Sequence, residues 1–186
     1  MQHLLQAYYL YMKDPRQGLR HLFAVRAYGA GFAGYLLAAL AAVCIFNAGS
    51  ALGVFAFLFK TAVWFAAEIL LGLVMAACAA LFLDFSGHKA SPAELFILIG
   101  TAGFIKGLLI AASVIALAVP VLSFIVPLCV LLVLGLQLGY LLRNISRLWN
   151  VGGWCACGAV FFCALPAVGS AVLAGIFFIW GLVLLF

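Results

Sequence analysis

Three ionisable side chains stand inside long apolar stretches of the sequence: Lys60, Glu68 and Lys106. An ionisable group at bilayer depth costs about 2.5–3.5 kcal/mol on insertion scales, so it should face other helices or a wet cavity and have a partner. Glu68 and Lys106 differ in expected depth by roughly 5 Å, which long side chains can bridge. They form a candidate intramembrane pair, either a structural ion pair that orients two helices or part of a polar path for ions or a small solute. Lys60 lies about two turns above Glu68, near the outer interface, where its side chain can also snorkel to water.

A second candidate is the loop motif of Asp84, Ser86, Gly87, His88 and Lys89. Asp84 and His88 could form an acid/base pair at the membrane surface, but no nucleophile or metal-ligand set stands beside them. An intramembrane aspartyl protease needs two Asp within spans, a rhomboid-like dyad needs a His within one, and a zinc protease needs His-Glu-x-x-His. The sequence meets none of these requirements. It therefore predicts a protein that is not an enzyme.

The six cysteines do not follow a metal-binding pattern. Four of them fall within apolar stretches, where a free Cys behaves as a small apolar side chain. Cys155 and Cys157 form a Cys-x-Cys pair, but a zinc site would need further ligands and the three His are scattered. We expect structural cysteines, and neither a metal nor a cofactor.

The elements that carry these residues follow from composition. Of the 186 residues, 70% are hydrophobic and 7% are charged, and the apolar runs between charges are longer than a soluble domain can bury. Roughly 20 apolar residues match the hydrocarbon thickness of a bilayer. These runs are apolar on every side, whereas a membrane β-barrel would alternate apolar and polar residues. The predicted fold class is all-α, a polytopic membrane helix bundle whose surroundings are the lipid bilayer, with no nucleic-acid partner.

Five transmembrane helices are predicted within a single domain, residues 27–186. Their expected ranges are about 27–46, 61–83, 95–119, 121–142 and 158–186. Residues 51–59 are either a separate segment or the extended top of the second helix. The last helix is either kinked at Pro166 or begins there after a short surface piece.

Turn signals separate these spans. Ser91 and Glu94 stand at capping-box spacing around Pro92, which predicts the start of the third span. Prolines at both ends of residues 120–127 predict the next hairpin. Residues 143–153 contain two Arg and two adjacent Gly, so they are predicted to form a polar loop.

Residues 1–26 are predicted to form an N-terminal arm of two amphipathic helices in the membrane interface, because apolar side chains recur there at helical spacing. Their basic side chains would contact anionic lipids of the inner leaflet; these interfacial basic residues are Lys13, Arg16, Arg20 and Arg26. Nine Lys and Arg less the two inside spans leave seven, and with a cytoplasmic N-terminus all seven fall on the cytoplasmic side. The positive-inside rule therefore predicts a cytoplasmic N-terminus and an external C-terminus.

Glycines spaced three or four residues apart mark two of the predicted spans. Such small residues let membrane helices approach closely; those predicted to pack are Gly100, Gly103, Gly107, Gly135 and Gly139. They could serve packing inside the bundle or form the face of a homodimer.

Several segments resemble the Yip-domain family, the Ypt/Rab-interacting five-span membrane proteins. Lys13-Asp14-Pro15-Arg16 resembles the basic stretch before the domain of short bacterial members, and 85–91 resembles the Gly-Gly loop, with Ser86 in place of the first Gly. Residues 142–153 and Ala164-Leu165-Pro166 resemble the closing segment. The resemblance covers roughly residues 8–186, and it implies a non-enzymatic protein of a bacterial inner membrane.

Two main functions are therefore expected, ahead of a third, an interfacial enzyme at the loop of Asp84 and His88. The first is membrane organisation or protein interaction, with a protein partner or a second copy of the chain. The alternative is a small transporter or channel subunit with a polar path at Glu68 and Lys106. A dry, fully packed bundle would favour the first function, and a continuous wet cavity that reaches Glu68 would favour the second.

Overall fold

The computed structural model describes residues 28–47, 53–119 and 124–185. Throughout these ranges the chain is helical apart from short connections, and no strand occurs in them. The predicted N-terminal arm and its four interfacial basic residues lie outside the described residues. In chain order the helices are α1 (Tyr28–Phe46), α2 (Val54–Phe85), α3 (Pro92–Lys106), α4 (Leu108–Ala118), α5 (Ile125–Leu148) and α6 (Gly153–Leu185).

Five helical stretches of the described chain are long and apolar enough to cross a membrane, with α3 and α4 together forming one of them, Pro92–Ala118. Gly107 alone separates α3 from α4, and its backbone stays in the right-handed helical region at φ −57° and ψ −26°. The N–H of Gly107 bonds to the carbonyl of Phe104 at 3.0 Å, a tightened turn of the 3₁₀ type. The all-α, five-span architecture predicted from composition is confirmed.

Helix α2 resolves the first ambiguity of the sequence. It begins at Val54, so residues 54–59 are the extended top of the second span and not a separate segment. Its 32 residues span about 48 Å at 1.5 Å per residue, more than the roughly 30 Å hydrocarbon core, so α2 must tilt or project beyond it.

The last two helices differ from expectation. Helix α5 runs to Leu148, six residues past the predicted end at 142, because Asn144 and Ile145 are buried against the bundle while Arg143 and Arg147 share its exposed side. The prediction of a loop from residue 143 was wrong. Helix α6 is continuous from Gly153 through Pro166, so the model with a separate surface piece does not hold.

The capping box predicted at Ser91 is not formed. Helix α3 does begin at Pro92, but the Ser91 side chain makes no capping hydrogen bond. Instead the Ser91 carbonyl accepts the N–H groups of Glu94 and Leu95, both at 3.1 Å. Ser91 is exposed, so water can satisfy its hydroxyl, and Pro92 has no N–H that needs a partner.

The span Pro92–Ala118 is the centre of the bundle, and more than half of the residues in its most apolar stretch are buried. Helix α1 crosses it at a seam of glycines. A Cβ on Gly34 would clash with the carbonyl of Gly100, and one on Gly103 would lie 2.6 Å from the carbonyl oxygen of Gly34. Close helix contact of this kind replaces the hydrophobic effect, which is weak between helices that sit in lipid.

Candidate functional site

Glu68 on α2 and Lys106 at the end of α3 form an ion pair. The Lys106 Nζ donates to both carboxylate oxygens of Glu68, at 2.8 Å to Oε1 and 3.1 Å to Oε2. Their side chains keep 17% and 24% of their surface exposed. Each charge therefore has the partner that an ionisable group in a membrane requires, but the pair is not sealed within packed side chains.

The ion pair lies near the middle of the two spans that carry it. Glu68 is 14 residues after Val54 and 17 before Phe85, about 21 and 25 Å along α2. Lys106 is 14 residues after Pro92 and 12 before Ala118, which is also the midpoint of its span. The pair is therefore far from both ends of the two spans that carry it.

The pair borders a cavity of about 270 Å³ at the junction of the bundle. All five spans contribute to its wall, and most of the lining side chains are apolar, such as Leu71 and Met75 of α2, Leu138 of α5 and Val168 of α6. The polar lining residues are Tyr35, Glu68, Lys106 and Gln137. The bundle is thus not packed solid around its buried charges.

Tyr35 of α1 lines this cavity. It is 2% exposed, and its hydroxyl donates a hydrogen bond of 3.0 Å to the carbonyl of Phe96. Its ring packs against the Phe96 ring, with centroids 4.9 Å apart, and a Cβ on Gly72 would clash with it. Sequence reasoning missed Tyr35, although a Tyr in the middle of an apolar helix is a usable signal, because a buried hydroxyl needs a partner.

Gln137 lies at the middle of α5, 12 residues after Ile125 and 11 before Leu148, and it lines the same cavity as the ion pair. Its side chain is half-buried in the wall of the cavity. Within the described ranges its amide forms no hydrogen bond. Sequence reasoning missed this residue too; the signal was an amide between two glycines in an otherwise apolar span.

A shallower groove of about 450 Å³ adjoins the cavity between α2 and α6. It shares Glu68 and Leu71 with the cavity, and its other wall includes Pro166 and Ser170 of α6. Pro166 has no N–H, so the helical bond to the carbonyl four residues earlier is missing on this helix. Glu68 therefore borders both the cavity and this more open groove, whereas Lys106 lines the cavity and not the groove.

Lys60 does not join the pair. Its Nζ donates to the Oδ1 of Asn47 at 2.6 Å, which ties the start of α2 to the end of α1. Asn47 in turn donates through Nδ2 to the carbonyl of Val43 at 2.8 Å. Of the three intramembrane candidates, the structure thus brings together Glu68 and Lys106 and places Lys60 in a separate interfacial contact.

The loop motif after α2 ends that helix with a Schellman turn. Gly87 adopts a left-handed φ of 82°, its N–H bonds to Asp84 O at 3.0 Å, and the His88 N–H bonds to Leu83 O at 2.9 Å. The carboxylate of Asp84 accepts the N–H of Ala90 at 3.4 Å, and the buried Nδ1 of His88 has no partner among the described residues. Asp84 and His88 do not form the hydrogen-bonded acid/base pair considered from sequence. Ser86 bonds back to the carbonyl of Phe82, and Lys89 is exposed.

The predicted packing glycines separate into two groups. Gly100 and Gly103 meet α1, and a Cβ on Gly107 would lie 2.7 Å from Leu37 Cδ2. Gly135 and Gly139 have no atom within 4 Å of the position of a Cβ, so they do not pack within the described bundle, and the alternative of a homodimer face stays a prediction. Their face of α5 points away from the other helices because α5 meets the bundle through Val133, Leu141 and Ile145 instead.

All six cysteines are free thiols. Cys163 is buried and Cys157 is exposed, and the other four are half-buried. No group of three or more His, Cys, Asp or Glu side chains suitable for a metal ion occurs in the part of the chain that the structure describes.

No protein-family model, no curated protein and no solved structure matches the chain. The fold and the site therefore define its class by themselves. The five long apolar helical stretches of the described residues make it an integral membrane protein that sits in a lipid bilayer, with an ion pair and a cavity near the middle of those stretches.

Proposed function

We propose that the protein is a small-molecule transporter, or the solute-binding subunit of one, and that the mid-membrane cavity is its solute site. The observation that carries the proposal is the position of the Glu68–Lys106 pair, which faces a cavity of about 270 Å³ at the middle of the bundle. If the ion pair served only to hold two helices together, packed side chains would be expected to enclose it. A cavity beside the pair costs dispersion contacts, so a functional use of the space explains it better.

The single-residue interruption at Gly107 supports this proposal. It follows Lys106 directly and lies near the midpoint of its span. Many transporters bind their solute where a helix is interrupted near the bilayer midplane. In this chain the interruption, the ion pair and the cavity occur at one level.

We further propose a bacterial inner membrane as the location, with the N-terminus in the cytoplasm, from the distribution of Lys and Arg and from the Yip-like segments. Membrane organisation through protein interaction, which that resemblance implies, remains the second candidate. The open glycines Gly135 and Gly139 favour it, because small residues on a lipid-facing helix are suited to contact with another helix.

Water access to the cavity tests the two functions against each other. In a chain whose six native cysteines are replaced by alanine, Gln137→Cys is treated with iodoacetamide, a small uncharged reagent that attacks the thiolate. Leu136→Cys is the matched control, since Leu136 neighbours Gln137 on the exposed side of α5. Val133→Cys, in the buried core, is the second control.

The transport function predicts that Gln137→Cys reacts many times faster than both controls, because a thiol ionises only where water reaches it. Equal, slow reaction at all three positions would indicate a dry bundle and would overturn the transport proposal in favour of the interaction function.

A further inference from the structure

The polar side chains that line the cavity differ in whether their hydrogen-bonding groups and charges are already engaged within the protein. The hydroxyl proton of Tyr35 is used by the Phe96 carbonyl, and Glu68 and Lys106 neutralise each other. Gln137 alone among the four polar lining residues makes no hydrogen bond within the described chain. A molecule entering this space finds an electrically neutral, apolar wall with one open amide.

We propose that the cavity binds an uncharged, largely apolar molecule that carries one hydrogen-bonding group, and that Gln137 recognises this group. The proposal rests on the proposed function and names the class of its solute. The amide has a carbonyl oxygen that accepts and an NH₂ that donates. It can therefore pair with a ring N–H, a hydroxyl or a carboxamide without any change in the ion pair.

The neutral ion pair excludes charged ligands. An anion would have to take Lys106 from Glu68, and a cation would have to take Glu68 from Lys106. Either exchange leaves one protein charge unpaired at the centre of the membrane, since the remaining lining carries no further ionisable side chain apart from the engaged Tyr35. Removing one partner of a buried pair is strongly unfavourable because the other charge is left uncompensated.

The size of the cavity sets the size of the ligand. A protein cavity of about 150 Å³ holds benzene, and pockets for drug-sized molecules begin at about 300 Å³. With about 270 Å³, this cavity suits a molecule somewhat larger than a single aromatic ring. Such a molecule is soluble in lipid, and the groove between α2 and α6, which shares Glu68 and Leu71 with the cavity, gives it a route from the bilayer.

Four related probes separate the elements of this proposal. Indole is uncharged and has one N–H donor; 1-methylindole lacks the donor; tryptamine is a cation and indole-3-acetate an anion at neutral pH. Binding of each tritiated probe to the purified full-length chain is measured by equilibrium dialysis, with protein-free micelles as the blank for partitioning into detergent.

Variants that fill the cavity with a larger side chain identify which part of the indole binding occurs inside it. Ala164→Phe and Ala167→Phe each place a ring at the lining of the cavity from α6, and Leu165→Phe adds the same ring at an exposed position outside it. We expect indole binding to be lost in the first two variants and kept in the third. Circular dichroism confirms that each variant is folded, and two filling positions guard against failure of one.

The role of Gln137 is tested with Gln137→Leu, which keeps the approximate size of the side chain. Indole should bind roughly three- to tenfold more weakly to this variant, the effect of losing one hydrogen bond. 1-Methylindole should bind the wild type about as weakly, and Gln137→Leu should no longer distinguish the two probes. Equal binding of both probes to the wild type would overturn the role of Gln137 and leave an apolar space that lipid chains can fill.

Charge selectivity is tested with the two halves of the ion pair. Tryptamine and indole-3-acetate should bind the wild type at least about a hundredfold more weakly than indole. Lys106→Met leaves an unpaired carboxylate and should favour tryptamine, whereas Glu68→Gln leaves an unpaired ammonium group and should favour indole-3-acetate. Wild-type binding of either charged probe as tight as that of indole overturns the inference.

Failure of the inference and failure of the proposed function have different signatures. If iodoacetamide reaches Gln137→Cys but no probe binds in the cavity, the solute class is wrong and the transport function stands. If Gln137→Cys is no more reactive than its two controls, the transport function itself fails.

Discussion

The coupling between Glu68 and Lys106 can be measured directly. Glu68→Gln leaves the Lys106 ammonium without its carboxylate at the midpoint of a membrane span, where it is 24% exposed. An unpaired charge at this depth costs about 2.5–3.5 kcal/mol on insertion scales. Because the adjoining cavity can admit some water, we expect the free energy of unfolding to fall by about 2 kcal/mol. Lys106→Met, which strands Glu68, should cost a similar amount.

The double variant Glu68→Gln with Lys106→Met removes both charges, so no uncompensated group remains. Polar interactions between membrane helices average about 0.6 kcal/mol in double-mutant cycles and reach about 1.7 kcal/mol. This pair has two contacts, at 2.8 and 3.1 Å, and both partners are charged, so we expect a coupling energy near the upper end, about 1.5 kcal/mol. With single costs of about 2 kcal/mol each, the double variant should lose about 2.5 kcal/mol of unfolding free energy, whereas two independent effects would remove about 4 kcal/mol.

Stability is measured by reversible unfolding in mixed micelles with increasing SDS, followed by far-UV circular dichroism. The control cycle combines Glu68→Gln with Lys60→Met. Lys60 bonds to Asn47 and not to Glu68, so its effect should add to that of Glu68→Gln within about 0.3–0.5 kcal/mol. If the Glu68/Lys106 cycle is additive to the same degree, the two charges do not stabilise each other and the reasoning from their geometry is refuted.

Two further predictions concern packing and topology. Gly34→Ala should lower the free energy of unfolding by about 1–3 kcal/mol, because its methyl group would clash with the backbone carbonyl of Gly100. Gly135→Ala, whose methyl group meets open space, should change it by less than about 0.5 kcal/mol in the same assay. Equal effects of the two substitutions would contradict the close contact of glycines between α1 and α3. In a chain without its native cysteines, Lys89→Cys and Arg147→Cys should be labelled by an impermeant maleimide only from the cytoplasmic side and Gly53→Cys only from outside, and labelling of positions 53 and 89 from the same face would contradict the five-span orientation.

The sequence alone predicted the features that depend on neighbouring residues, namely the spans, a helix start and a turn. Long apolar stretches between charges predicted five spans, because each membrane helix satisfies its own backbone hydrogen bonds and needs only enough apolar length to remain in lipid. The start of α3 at Pro92 and the turn at Gly87 were marked by their residue types. The proximity of Glu68 and Lys106 was also foreseen, because two opposite charges at one depth have few other partners.

Residue types failed to predict which faces of the helices meet. Gly135 and Gly139 have the same spacing as many packed glycines, yet α5 turns them away from the bundle, while Gly34 of α1, not singled out beforehand, lies against Gly100. In lipid both faces of an apolar helix are compatible with their surroundings, so hydropathy does not distinguish a packed face from a lipid-facing one. The extension of α5 past Arg143 has the same cause, since burial of Asn144 and Ile145 decides it.

The sequence by itself determined that this chain is an integral membrane protein with five apolar spans and two opposite charges near the middle of two of them, because length, hydropathy and charge are summed along the chain. Only the tertiary structure decided that those charges meet beside a cavity, that Lys60 belongs to a different contact, and that Gln137 opens onto the same space. A cavity is the volume that packed helices leave unfilled. It depends on how all five spans cross, and this crossing cannot be derived from any single segment of the chain.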